Sequence, residues 1–258
     1  MFRKTIVLIG VLVLVLAITT GVSVAQTEKM RVALDGKAQT LDPGFLQRSI
    51  SEWPIMDSIF SGLVKYKPGS YEVVGDLAEK WELSADNKTI TFYLKEGVKF
   101  HNGYGEVTAE DVKFSFERII DPENGSPEAE SFSKLKEVKV VDDYTVQLIL
   151  EEPMARLFTS TLPYNAGLIV SKKAVEEMGR DTFASNPIGS GPYQFESWGV
   201  NNNISVSRFD DYFGQNAFIE KVEFIPMADQ MSQELALRSG EVDFGQVSLE
   251  NYEKIERK

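Results

Sequence analysis

Residues 77–118, LAEKWELSADNKTITFYLKEGVKFHNGYGEVTAEDVKFSFER, constrain the fold more than any other stretch. Within them, Thr89–Leu94 (TITFYL) alternates β-branched and aromatic residues, which predicts a strand with one buried face. Asp86-Asn87 just before it favours a hairpin turn from a strand over Trp81–Leu83. The period then changes. Thr108-Ala-Glu-Asp111 opens a helix, with the threonine hydroxyl placed to accept from a backbone N–H near Asp111 and the Asp111 carboxylate placed to reach back. Acids in that first turn suit the helix dipole, and Val112, Phe114, Phe116 and Ile119-Ile120 bury the helix broadly. A strand, a turn and a capped helix at this spacing point to a mixed α/β chain.

The rest of the chain alternates in the same way. Met30–Asp35 reads as a strand, and Leu41-Asp42-Pro43-Gly44 as a turn in which proline fixes φ and glycine tolerates positive φ. Residues 49–60 have near-helical apolar spacing, with Pro54 in the first turn, and Gly62–Tyr66 is a further strand. Residues 121–131 are polar and turn-rich, a surface loop before a hairpin of Glu137–Val141 and Thr145–Leu150 around Asp142-Asp143-Tyr144. Helices are expected after Pro153 and over 171–178. Strands follow at Tyr193–Trp198, Ile204–Phe209 and Val222–Pro226. A helix from Asp229 to Ser239 stops at Gly240, then come a strand at Val242–Val247 and the start of a helix over 248–257. No repeat of 20–50 residues is visible.

The N-terminus reads as an export signal. Arg3 and Lys4 precede an apolar run from Ile6 to Ile18, and Ser23 and Ala25 stand at −3 and −1 of a cleavage site before Gln26. That run is shorter than the ~20 residues a membrane span needs. The chain has no cysteine, which excludes disulfides, thiolate metal sites, a cysteine nucleophile and a lipid-carrying cysteine. The expectation is therefore a periplasmic protein, cleaved after Ala25 and not lipid-anchored. With 39 acidic against 27 basic residues the formal charge is −12, and loss of Arg3 and Lys4 makes the mature chain more negative still. Such a surface repels nucleic-acid backbones and anionic lipid headgroups.

Catalytic chemistry is hard to find. His101 is the only histidine, lies in the turn Phe100-His-Asn-Gly103 and has no evident nucleophile nearby, so a structural hydrogen bond is the expected role. Gly189-Ser190-Gly191 lacks both the GxSxG elbow and the lysine of a phosphate loop, which leaves close backbone approach as its purpose. The carboxylates make a paired-acid hydrolase formally conceivable, but no pair stands out. Trp53, Trp81 and Trp198 could line a sugar or peptide cleft, and core or interface packing is the simpler role for each. No cofactor is implied.

Taken in order, several segments resemble the extracellular solute-binding proteins of family 5, which serve peptide, dipeptide and nickel-type ABC importers. They are Leu41-Asp42-Pro43, Gly62-Leu63-Val64, the stretch from Leu77 to Gly103, TAEDVKFSFERI, VDDYTVQLILEEP at 141–153, IGSGPYQFESW at 188–198 and ALRSGEVDF at 236–244. Asn102 and Ser190 depart from the aspartate and threonine usual in the family, and both are expected to hydrogen-bond locally.

The resemblance implies an α/β, periplasmic-binding-protein-like fold (type II, cluster C): a first lobe with mixed sheets, the second lobe largely absent. On that reading 27–61 begins subdomain Ia, 62–183 forms subdomain Ib, and 184–258 returns to Ia. Relatives are about twice as long, so the chain is read as truncated, with weak solute binding and an exposed sheet edge as consequences. The implied function is that of a monomeric, non-enzymatic substrate-binding component of an ABC importer, whose partners are a small peptide and the membrane permease. Alternatives are an oligosaccharide or nickel complex on the same scaffold, or an interaction module holding no ligand. The resemblance places Gln47, Arg48, Ser49 and Glu128 on the ligand cleft.

Overall fold

The computed structural model describes residues 28–46 and 52–251. In chain order its elements are β1 (Lys29–Leu34), α1 (Trp53–Ile59), β2 (Ser61–Gly62), β3 (Val64–Tyr66), β4 (Val73–Gly75), β5 (Ala78–Leu83), β6 (Thr89–Leu94), α2 (Ala109–Ile120), β7 (Leu135–Asp142) and β8 (Thr145–Leu150). They continue with β9 (Leu168–Ile169), α3 (Lys172–Met178), α4 (Arg180–Phe183), β10 (Tyr193–Trp198), β11 (Ile204–Arg208), β12 (Lys221–Pro226) and α5 (Gln230–Ser239).

Two larger sheets organise these elements. One has the order β5-β6-β8-β7 and is antiparallel throughout. The alternation in Thr89–Leu94 decides its facing: Ile90, Phe92 and Leu94 are buried, and Thr89, Thr91 and Tyr93 only partly so. Helix α2 packs on β7 and β8, and its Val112, Phe116 and Ile119 are buried. Asp111 Oδ2 accepts from the Thr108 backbone N–H at 3.0 Å and from the Thr108 hydroxyl at 3.2 Å, closing the capping box. The other sheet, β1-β12-β11-β10, joins the first described strand to the last ones, and β1 runs parallel to β12. One continuous apolar core, including Leu41, Phe60, Phe92, Phe116 and Val206, lies under both sheets. Burying each such phenylalanine contributes roughly 2–3 kcal/mol.

Several expectations need correction. The Gly62–Tyr66 strand is split at Leu63, because Ser61–Gly62 pairs with β9 while Val64–Tyr66 pairs with β4. Leu63 spends its carbonyl on the N–H groups of Asp76 and Ala78. After Pro153 there is no α-helix, only a π-helical turn at Leu157–Thr161, closed by the Leu162 N–H on the Leu157 carbonyl and followed at once by Pro163. Val242–Val247 forms no strand. It makes one parallel bridge, Val32 to Phe244, after which Gly245 packs against the Ala33 side chain. The loop 121–131 carries 3-10 turns at Pro122–Asn124 and, running on to Phe132, Ala129–Phe132, and its Ser126 is buried. Gly44 is not in the left-handed region; a Cβ there would meet Ile119 Cγ1 at 3.0 Å, so close packing is what requires glycine. Neither departure makes the expected local bond: Asn102 adopts positive φ with no side-chain hydrogen bond among the described residues, and the Ser190 hydroxyl is buried with no hydrogen-bond partner. Of the expected helix over 248–257, residues 249–251 are helical and the remainder lies outside the described residues.

Candidate functional site

The turn Leu41-Asp42-Pro43-Gly44 is anchored from several sides. Asp42 is 1% exposed, its Oδ1 accepts from the Gly44 N–H at 3.2 Å, and it forms a buried ion pair with Arg118 of α2. Burial raises the Asp42 carboxyl from its ordinary value, while Arg118, the Gly44 N–H and Arg180 each oppose that rise. The Arg180 guanidinium lies 3.6 Å from the Phe45 ring centroid, with Arg118 at 4.9 Å. Ser126 donates to the Gly44 carbonyl at 2.5 Å, tying the loop after α2 to this turn.

That stitch bears on the residues nominated from sequence. Gln47, Arg48 and Ser49 lie outside the described residues. Their stretch is bracketed by two buried residues, Leu46 and Glu52. Glu128 is half-buried; its N–H donates to Ser126 Oγ at 3.1 Å and its carboxylate accepts from the Ser131 hydroxyl at 2.8 Å. The Ser126–Gly44 contact thus brings the Glu128 loop beside the turn leading into residue 47, but Glu128 already spends part of its acceptor capacity locally.

Beyond these residues the chain presents an open wall. The first turn of α1 carries Trp53, which stacks on the half-exposed Tyr164 at 4.3 Å and 11°. Next to Trp53, Pro54 faces a cleft of about 260 Å³ lined also by Val32 to Asp35, Phe244 and Gln246. This cleft sits at the carboxyl end of β1, the edge strand that runs parallel to β12. The Gln246 N–H is held by Gln233 Oε1 at 2.8 Å, and Gln233 Nε2 is fixed on the Met227 carbonyl at 2.6 Å. Apolar contact, amide groups and one carboxylate suit gripping a small amphipathic molecule. Tyr164, Pro54, Phe244 and Gln246 were missed from sequence. The stretch ALRSGEVDF runs up to Phe244, so the signal for that side of the wall ended beside it; nothing in the pattern around Tyr164 marked it.

The histidine and the glycine pair serve the scaffold. The His101 N–H donates to the Gly189 carbonyl at 2.9 Å, and Nε2 meets the Gly191 carbonyl at 3.0 Å, which assigns the ring proton to Nε2. His101 is fully buried, edge-on to Phe209 at 4.8 Å, and burial lowers its pKa to about 4, so it is neutral at physiological pH. A Cβ on Gly189 would fall 2.1 Å from the Ile59 carbonyl oxygen, and one on Gly191 2.6 Å from the Ile59 carbonyl carbon. Among the described residues no group of three or more histidine or acidic side chains is arranged to hold a metal ion, and no helix is long and apolar enough to cross a membrane.

Comparison with known proteins bears on the family and the fold. The family described as bacterial extracellular solute-binding proteins, family 5 Middle, matches residues 72–258. The chain is 34% identical over 253 residues to the "Probable D,D-dipeptide-binding periplasmic protein DdpA" of Escherichia coli K12, covering 94% of this chain and 47% of that protein. Among solved structures, MoaA of A. tumefaciens R10 in complex with mannopinic acid superposes with a TM-score of 0.80 at 31% identity, over 86% of this chain and 45% of that one. The periplasmic binding protein DppA of Helicobacter pylori, in complex with the peptide STSA, gives 0.79 at 28% identity, over 89% and 49%. The chain spans about half the length of the relatives it matches, and its fold is periplasmic-binding-protein-like. On the span of the family match and on the fold, this chain belongs to the bacterial extracellular solute-binding proteins, family 5.

Proposed function

We propose that the chain acts as part of the periplasmic substrate-binding component of an ABC importer and takes dipeptides or oligopeptides. The observation that carries this reading is the cleft at the carboxyl end of β1, lined by Val32 to Asp35, Pro54, Phe244 and Gln246. A peptide lies well on such a wall, because its apolar side chains and main-chain amides match apolar contact interrupted by a few polar groups. The names of the dipeptide- and peptide-binding relatives support the same solute class.

On this reading Gln47, Arg48, Ser49 and Glu128 extend the wall on the side of the Asp42 turn. The sheet containing β1 and β10–β12 belongs to subdomain Ia (27–61 and 184–258), and the sheet of β5–β8 to subdomain Ib (62–183). The mature protein begins after Ala25, works in the periplasm as a monomer and hands its solute to a membrane permease.

The test is a titration of the labelled chain with a dipeptide up to millimolar concentration, followed by NMR. Saturable shifts at Leu34, Phe244 and Gln246, which line the cleft, are expected, with weaker ones for mannopinic acid. Equal response to a neutral sugar, or shifts that spare these residues, would overturn the assignment.

A further inference from the structure

A second cleft, sharing no lining residue with the first, opens along α1. It encloses about 360 Å³, within the size range of small-molecule sites, and its walls include Trp53, Asp57, Phe60, Lys65, Tyr66 and Tyr212. Trp53 and Asp57 stand four residues apart on α1 and so share a helical face. Lys65 and Tyr66 come from β3 and Tyr212 from the loop after β11. Aromatic walls from separate elements therefore converge on one charged floor.

The charges on that floor do not cancel. Lys65 Nζ is committed to Asp76 Oδ1 at 2.8 Å, and the other Asp76 oxygen accepts from the Gly62 N–H at 3.2 Å. Lys67, on the rim, pairs with Glu72 at 3.2 Å. Asp57 lines the cleft and, among the described residues, has neither hydrogen bond nor ion pair. Asp57 is exposed to solvent at the cleft; partial desolvation by the walls and the neighbouring Asp76 raise its carboxyl above the ordinary value, and Lys65 opposes them. Burial and the neighbouring Asp76 raise the Tyr212 hydroxyl, with Lys65 opposing them, so Tyr212 stays neutral and leaves the charge on the floor unchanged. One carboxylate is left facing open space between aromatic rings.

We propose that this cleft binds an organic ammonium group, primary or quaternary, carried on a short apolar stem. The ammonium would complete the pairing of Asp57 and lie against the faces of Trp53 or Tyr66, where the ring quadrupole attracts a cation. The stem would occupy the space beside Phe60. An anion would meet the unpaired carboxylate, and a bare divalent ion would find too few acidic ligands, since no metal-holding group exists among the described residues.

The experiment is a titration of the labelled protein with n-butylammonium and with choline, using n-butanol and butyrate as controls. Saturable shifts at Asp57, Lys65, Tyr66 and Tyr212 are expected for the two cations only. Asp57→Asn should weaken cation binding at least tenfold with an unchanged circular dichroism spectrum, and Tyr66→Leu should weaken it several-fold. Equal shifts from n-butanol, undiminished binding to Asp57→Asn, or no saturation would overturn the proposal. Dipeptide shifts at Phe244 and Gln246 should persist in Asp57→Asn, so failure at this cleft and failure of the peptide reading are told apart.

Discussion

His101 shows how far one side chain can be read before coordinates are known. A lone histidine in a strand-to-helix turn without a nucleophile points to a structural bond, and the structure supplies that bond to the Gly191 carbonyl. The partner lies 90 residues downstream, which no local pattern could reveal. Burial, acting against the bond to Gly191, holds the folded pKa at about 4, below the ordinary 6.5. The unfolded chain therefore takes up a proton first as pH falls. Stability from neutral His101 is complete above about pH 6.5 and is lost progressively toward pH 4. Linkage puts the loss at about 2 kcal/mol between neutrality and pH 5. Urea denaturation of wild type and His101→Phe across this window checks it. The variant starts less stable, having lost the bond to Gly191, and its stability should fall less steeply with acid. Parallel slopes would show that the imidazole does not titrate as its burial requires.

At the scale of elements, legibility followed local chemistry. The strand Thr89–Leu94 and the helix ending at Gly240 were readable because alternation, capping and a left-handed C′ glycine act within a few residues. The expected strand at Val242–Val247 was not: Asp243 and Phe244 donate to the Arg31 carbonyl, the Ala33 N–H donates to the Phe244 carbonyl, and the single bridge Val32 to Phe244 is all that forms. The glycines of Gly189-Ser190-Gly191 lie between these cases. Their role as a close approach was readable, but the surface approached was not. That surface is the end of α1, where the Gly191 N–H donates to the Ile59 carbonyl at 2.8 Å. Since a Cβ on Gly189 would collide with backbone rather than a movable side chain, Gly189→Ala should cost roughly 3 kcal/mol or more. Gly69→Ala, where φ is positive but space is open, should cost only about 1 kcal/mol. Thermal denaturation of the two variants side by side gives the comparison; similar losses would mean that α1 moves aside.

For the whole molecule, the two large sheets differ in how far along the chain their strands must find each other. The strands β5 to β8 all lie between Ala78 and Leu150 and are joined partly by tight hairpins. The sheet bearing the candidate peptide wall needs Lys29–Leu34 to pair with Lys221–Pro226. This is also why the wall was illegible in sequence: Pro54, Phe244 and Gln246 become neighbours only after that closure. Closing a loop on the order of 190 residues costs about 3 kcal/mol more in chain entropy than closing one of about 10. Antiparallel hairpins repay their shorter loops at once, whereas the parallel β1–β12 pair must wait for the intervening chain to be compact. In pulsed hydrogen-exchange refolding, the amides of β6 should therefore gain protection before those of β12. Both are inner strands with hydrogen-bonding neighbours on either side, so the comparison is not biased by edge exposure. Simultaneous protection of the two strands would mean that the long-range pairing forms with the nucleus rather than after it. The candidate wall would then be specified as early as the scaffold that carries it.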